Sequence, residues 1–305
     1  MTTTKRRQSS RAKTAPVASE SNKPAPPKTK HYTRPGVEAA ARLVSLQPMS
    51  DHVDKWERAS SHYAAMIKAK GGAKLVKLDK ERDGLAKTWM TNSALGDDEA
   101  KCMTKDQLLN VIIEWKFAKG KPRHALKPLL KSNSDASVIT AATRAFETAD
   151  GIPENDASGE YTKQISSAMK EMCELKGVGP ATASAILSLY RPDIFAFMDD
   201  EVIECLYDRK RGYTLKIYME VNDRCREIAT EFNMARRSDG DGSSEWTPFK
   251  VGKSLWTLAT MSATNDEDGI STIFHNDDES HSIRGCGSNE EKDKSLNSRK
   301  KAKKS

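Results

Sequence analysis

The sequence lacks the features that usually identify membrane-spanning, disulfide-rich and metal-binding chains. No apolar run approaches the length of about 18 residues that a transmembrane helix needs, so no membrane partner is expected. Its five cysteines are scattered, and no two of them stand at C-x-x-C spacing. This pattern argues against a disulfide framework, a zinc site and a four-cysteine iron–sulfur cluster. Neither a metal nor another cofactor is therefore expected.

Sustained period-2 alternation is also missing, and β-branched residues are sparse. Apolar residues instead recur at helical spacing between about Val37 and Met261. Thr104, followed three residues later by Gln107, is typical of a capping box at the start of a helix. The predicted fold class is all-α, with one domain or two helical lobes over residues 36–262. Trp89, Trp115, Trp246 and Trp256 are expected to pack in its core rather than to stack on bases.

Charge is concentrated at the two ends of the chain. Residues 1–35 carry nine Lys/Arg and one Glu, and residues 263–305 begin acidic and end basic. Both segments are predicted to be disordered tails. Their basic clusters, Lys5–Arg7 and Arg299–Lys301, indicate a nuclear protein. The alternatives are that the first cluster is a loose phosphate-binding arm or that the tails only maintain solubility. The core is nearly neutral, so any nucleic-acid surface on it must be a local patch.

The most informative segment is the predicted helical hairpin 161–190, whose turn contains two glycines. Glycine permits positive φ and lets a ligand approach the backbone amides, and proline suits the first turn of a helix. Free amides at the start of the second helix suit a phosphate oxygen. We therefore predict a phosphate-binding turn, with an ordinary tight turn or a protein-contact hairpin as alternatives. Its residues are Lys176, Gly177, Val178, Gly179, Ala181 and Thr182.

This turn resembles the helix-hairpin-helix motif of DNA repair proteins. Asp199 follows Gly177 by 22 residues, which is similar to the spacing of the catalytic aspartate in the helix-hairpin-helix DNA glycosylase superfamily. The resemblance implies a helix-hairpin-helix DNA-glycosylase-like helical domain with disordered termini. It implies Asp199 as the carboxylate that stabilises positive charge on the sugar, with Asp200 as the alternative. Either aspartate can also serve only as a helix cap.

Departures from the superfamily pattern narrow what the resemblance implies. Ala181 stands where bifunctional members carry a lysine, Glu201 replaces the commoner histidine, and the four cysteines of the iron–sulfur branch are absent. The resemblance thus implies a monofunctional N-glycosylase of base-excision repair that forms no imine. A non-catalytic DNA- or chromatin-binding module, which recruits partners through its tails, is the competing interpretation. Whether the chain is an enzyme stays open from sequence.

Two basic clusters on the core are further candidates for phosphate contacts. The first contributes Lys119, Lys121 and Arg123, with Lys116 and Lys127 beside them, and the second contributes Arg209, Lys210 and Arg211. Favourable charges at a helix C-terminus and a solvated face are the alternatives. The core also resembles a group of eukaryotic proteins, but this resemblance implies no activity. It rests on Trp115-Lys116, Gly120–Arg123 and the hairpin 175–184.

Overall fold

The computed structural model describes residues 34–95, 102–153, 159–207, 211–239, 245–261 and 267–274. All regular secondary structure in these ranges is helical, which confirms the all-α prediction. Within them, no helix combines the length and the apolar character that crossing a bilayer requires.

The α-helices of these ranges differ widely in length. They are α1 Pro35–Ser45, α2 Val53–Ser61, α3 Tyr63–Leu95, α4 Glu114–Lys119, α5 Lys127–Lys131, α6 Asp135–Asp150, α7 Glu160–Cys173, α8 Pro180–Tyr190, α9 Asp200–Leu206, α10 Leu215–Asp239, α11 Pro248–Met261 and α12 Glu267–Phe274. Gln107–Ile113 forms a π-helix that leads directly into α4, and short 3₁₀ turns occupy Met49–His52 and His124–Leu126.

Local signals in the sequence set several of these boundaries. The Thr104 amide donates to Gln107 Oε1 at 3.0 Å, and the Gln107 amide donates to Thr104 Oγ1 at 3.2 Å. This reciprocal pair is the predicted capping box, which is confirmed. Pro180 is the first residue of α8, also as predicted, because proline has no amide to leave unpaired there.

The core is built around α11, which packs against α1, α2, α3, α9 and α10. The five tryptophans are buried, which confirms that those singled out from the sequence belong to the core. Trp56, for example, meets Phe232 and Trp246 edge-on at centroid distances of 5.5 and 6.5 Å. Such edge-on pairs add to the free energy gained by burying the rings.

The chain from Ile194 to Asp199 joins α8 to α9 in an extended, buried path, where its backbone needs hydrogen-bond partners. Neighbouring helices supply them. Asn222 of α10 accepts from the Ala196 amide at 2.7 Å and donates to the Ile194 carbonyl at 3.1 Å, and Ser184 Oγ accepts from the Met198 amide at 3.0 Å. Asn222 from α10 and Ser184 from α8 therefore fix the backbone that leads to Asp199.

The prediction that residues 263–305 form a disordered tail is wrong for α12. Ile273 is fully buried, its carbonyl accepts from Arg58 Nη2 at 3.0 Å, and the Arg42 guanidinium lies 5.1 Å from the centre of the Phe274 ring. The apolar patch is Ile270–Phe274, and the free energy gained by burying it outweighs the cost of its acidic surroundings. The described part of the fold starts at Arg34, two residues before the predicted boundary at residue 36. The other tail residues, 1–33, 263–266 and 275–305, lie outside the described residues.

Candidate functional site

The hairpin turn between α7 and α8 uses its two glycines differently. Gly177 has φ +80°, and a Cβ there would lie 3.1 Å from Leu130 Cγ and 3.2 Å from Leu129 Cβ. Gly179 has an extended backbone, and a Cβ there would meet nothing within 4 Å. The fold itself therefore requires glycine at 177 but not at 179. Val178 is buried between them, so its side chain packs into the core rather than facing a ligand.

Asn133, just after α5, fastens this turn from outside the hairpin. Its Oδ1 accepts from the Lys176 amide at 2.9 Å, and its Nδ2 donates to the Lys176 carbonyl at 3.0 Å. Nδ2 also lies 3.0 Å from the Leu130 carbonyl. The sequence analysis missed this residue, because asparagine after a short helix indicates only an ordinary turn.

Some of the backbone amides in the turn and in the first residues of α8 are left without acceptors. The amides of Thr182 and Ala183 donate to the Gly179 carbonyl at 2.8 and 2.9 Å. Those of Gly177, Gly179 and Ala181 donate no hydrogen bond to another described residue. These three amides, together with the positive end of the α8 dipole, suit an anionic ligand.

The hairpin forms one wall of a cavity of about 350 Å³. This volume falls in the range of about 300–1,000 Å³ that is typical of small-molecule sites. The other residues around it come from α4 and the loop after it, from the segment before α9, and from the start of α9. Its lining comprises Lys116, Gly120, Lys121, Arg123, Leu126, residues 177–182, Phe197, Met198, Asp199, Asp200 and Tyr213. The predicted turn and both predicted carboxylates thus meet at one cavity.

Asp199 is almost fully buried and caps α9. Its Oδ1 accepts from the Asp200 amide at 3.0 Å, and its Oδ2 accepts from Lys119 Nζ. Burial raises the pKa of the Asp199 carboxyl, and the charge on Lys119 opposes this rise. The residue therefore combines the predicted cap with a place in the cavity wall.

Lys119 does not occupy the exposed surface that a phosphate contact requires. It is 4% exposed, and its Nζ lies 3.8 Å from the centre of the Trp256 ring, 5.2 Å from Phe197 and 5.7 Å from Trp115. Burial lowers the pKa of Lys119 to about 8, although Asp199 acts in the opposite direction. The prediction that places Lys119 in a DNA-binding patch is corrected here, because these rings and Asp199 hold it inside the fold.

Asp200 also lines the cavity and has partners of its own. The Tyr213 hydroxyl donates to its Oδ1 at 2.8 Å, and Arg211 Nη1 lies 2.9 Å from its Oδ2. Arg211 also pairs with Glu204, so its guanidinium is shared between two acids. Arg123 packs 4.7 Å from the centre of the Tyr213 ring. Arg211 is exposed, but its guanidinium is already paired with these two carboxylates.

Glu201 does not add its charge to the cavity. Its carboxylate pairs with Arg34 at 3.2 Å and with Lys70 at 3.4 Å, and it is not part of the lining. Despite burial, these cations lower the pKa of Glu201 to about 2. Glu201 still contributes to the raised pKa of Asp199, although Arg34 and Lys70 partly neutralise its charge.

The other members of the first basic cluster are more accessible than Lys119. Lys121 and Arg123 are exposed and line the cavity, as phosphate contacts would. Lys116 lines it too, although the sequence placed it only in the general cluster. Lys176 is exposed beside the turn but is not in the lining. Arg209 and Lys210 lie outside the described residues.

Comparisons of the chain with protein-family models, curated proteins and solved structures found no match. The site must therefore be interpreted from its own geometry. Among the described residues, no group of three or more His, Cys, Asp or Glu side chains is arranged to hold a metal ion. The cavity lining thus combines cations, free backbone amides and a buried carboxylate.

Proposed function

We propose that the chain binds DNA through the hairpin cavity and removes a base from it as a DNA N-glycosylase. The observation that carries the proposal is that the unpaired amides of the turn and the Asp199 carboxylate line the same cavity. A strand held by the amides and by Lys121 and Arg123 would present one flipped nucleotide to this carboxylate.

The chemistry assigned to Asp199 is charge stabilisation. Loss of a base leaves positive charge on the deoxyribose, and a fixed anion in a largely dry wall stabilises this charge more than water does. An ionised Asp199 is required, so excision should fall at acidic pH, as the carboxyl with its raised pKa takes up a proton. The same carboxylate is close enough to the cavity to orient a water molecule.

A non-catalytic DNA- or chromatin-binding module is the second candidate. The observation that favours it is that Lys119 already neutralises Asp199, while Arg211 and Tyr213 occupy Asp200. Both carboxylates then stabilise the start of α9, and only the hairpin, Lys121 and Arg123 contact DNA.

For either candidate, the basic clusters of the tails support our proposal of a nuclear location. A fluorescent fusion of the full chain would test this location.

A base-release assay separates the two candidates. Full-length protein is incubated with duplexes that carry uracil, alkylated, oxidised or mismatched bases, and free base is quantified. We expect release from at least one duplex and its loss in Asp199→Asn, which keeps the shape and removes the charge. Asp199→Asn should bind DNA as well as the parent chain or slightly better, because an anion near the phosphates has gone.

Asp200→Asn is the matched control for this assay, because the two aspartates are neighbours but only Asp199 is fully buried. If Asp200→Asn and not Asp199→Asn abolishes release, Asp200 is the charge stabiliser. If the parent chain binds the duplexes but releases no base from any of them, the binding module is the better account.

A further inference from the structure

Lys116 places an amine in the cavity that the proposed base excision does not use. The side chain comes from α4, lines the cavity with Asp199 and Asp200, and is only half-exposed. Its amine makes no hydrogen bond or ion pair with another described residue. Burial and the nearby Arg123 lower the pKa of Lys116, against the opposing effect of the two carboxylates. An amine in such surroundings spends more time unprotonated and nucleophilic.

The other lysines near the cavity are less suited to this chemistry. Lys119 is held by Asp199 and by three aromatic rings, and it is not part of the lining. Lys121 is exposed, so water surrounds its side-chain nitrogen. Lys116 is thus the lysine that lines the cavity and is also partly shielded from water.

We propose that Lys116 forms an imine with the aldehyde of an abasic deoxyribose held in this cavity. The nitrogen lone pair attacks C1′ of the open-chain sugar, and the C1′ oxygen leaves as water with the two hydrogens of the amine. The imine nitrogen then takes up a proton from solvent. This proposal rests on the proposed function in one respect, that the cavity receives a deoxyribose.

The imine makes strand cleavage possible without another reactant. It acidifies the C2′ proton, which passes to a carboxylate of the cavity wall or to water. The electron pair of that C–H bond becomes the C2′–C3′ double bond, and the C3′–O bond breaks with the phosphate as leaving group. Hydrolysis of the imine then restores the Lys116 amine.

This inference changes one expectation drawn from the sequence. Ala181 stands where bifunctional glycosylases carry their lysine, and its methyl group cannot form an imine. The structure brings an amine to the same cavity from α4, about sixty residues earlier in the chain. The absence of a lysine in the hairpin therefore does not exclude imine chemistry.

Reductive trapping on DNA with a preformed abasic site tests the proposal. Sodium cyanoborohydride reduces an imine to a stable amine, so the full chain should become covalently attached to the labelled strand. Peptide mapping of the adduct should find the modification on Lys116. In Lys116→Arg, which keeps the positive charge but forms no imine, we expect loss of the adduct together with retained binding to the abasic duplex. Lys163→Arg, which changes an exposed lysine of α7, should leave the adduct unchanged.

Two results would overturn the proposal. One is an adduct that maps to lysines other than Lys116 or that persists in Lys116→Arg. The other is a parent chain that binds the abasic duplex and gives no adduct. Because the abasic site is made beforehand, trapping does not require base excision. Failure of base release with successful trapping would contradict only the glycosylase, and the reverse would contradict only the imine.

Discussion

At the scale of single residues, the most consequential contact is the ion pair between Lys119 and Asp199. Two buried charges cost free energy of desolvation, which their attraction and further contacts must offset. Here the Trp256, Phe197 and Trp115 rings supply cation–π contacts to the ammonium, and the Asp200 amide binds the carboxylate. The pair both fixes the orientation of Asp199 and weakens its field in the cavity.

The lowered pKa of Lys119 predicts a measurable change of stability with pH. Between its value of about 8 in the folded chain and its ordinary value of 10.5, the unfolded chain binds more protons at this residue. The free energy of unfolding should therefore rise with pH in this window, by up to about 3 kcal/mol from Lys119. Urea unfolding of the parent chain and of Lys119→Met, compared from pH 7.5 to 10.5, measures this contribution as a difference.

Lys163→Met is the control, because that lysine is exposed and should leave the pH dependence of the parent chain unchanged. Parallel curves for the parent chain and Lys119→Met would show that Lys119 titrates at its ordinary value.

At the scale of elements, the hairpin depends on a clamp by Asn133, which lies just after α5. Asn133 is buried and makes hydrogen bonds to both backbone groups of Lys176. Asn133→Ala should reduce the free energy of unfolding by about 2 kcal/mol, since these groups lose their partner. Hydrogen exchange at the Lys176 amide should become faster. Ser132→Ala, an exposed neighbour, should change neither quantity, and unchanged exchange in Asn133→Ala would contradict the clamp.

The packing of α12, the last described helix, on the core can also be tested. Ile273→Ala in the full chain should reduce the free energy of unfolding by about 2–4 kcal/mol, because a fully buried branched side chain is truncated. Thermal or urea unfolding measures it, with the exposed Thr272→Ala as control. Equal stability of the two variants would mean that α12 does not pack on the core in solution.

These elements also show which features a sequence reveals. The capping box at Thr104 and the start of α8 at Pro180 were predictable, because caps and proline act through neighbours in the chain. The packing of α12 was not, since a five-residue apolar patch among acids resembles a solvated tail. The burial of Lys119 was not predictable either, because its aromatic surroundings come from α4, α11 and the segment before α9, which only the fold brings together.

At the scale of the whole molecule, the net positive charge lies in the N-terminal tail, and the core is nearly neutral. Residues 1–33 carry eight Lys/Arg and one Glu, while Arg34 belongs to the fold through its pairs with Glu201 and Glu204. A chain that begins at residue 34 should therefore fold but bind duplex DNA more weakly at low salt. Its affinity should also depend less steeply on salt concentration, because fewer counterions are released.

Fluorescence anisotropy over a range of salt concentrations measures both quantities. The matched control is a full-length chain in which Lys5, Arg6, Arg7, Arg11 and Lys13 are replaced by Gln, which keeps the length of the tail. Its affinity and its salt dependence should lie between those of the full and the truncated chains, because Lys23, Lys28 and Lys30 remain. Equal affinity and equal salt dependence with and without residues 1–33 would show that the tail plays no part in binding.

The proposed binding of DNA at the hairpin turn is tested by Gly179→Asp. Gly179 caps α8 with an extended backbone and open space at its Cβ. Aspartate is a preferred cap, so the variant should be as stable as the parent chain. Its negative charge, placed beside the free amides of the turn, should weaken DNA binding about tenfold or more at low salt. Gly179→Asn, a neutral cap of the same shape, should bind nearly as well as the parent chain. If folded Gly179→Asp and Gly179→Asn bind DNA equally well, the turn is not the binding site.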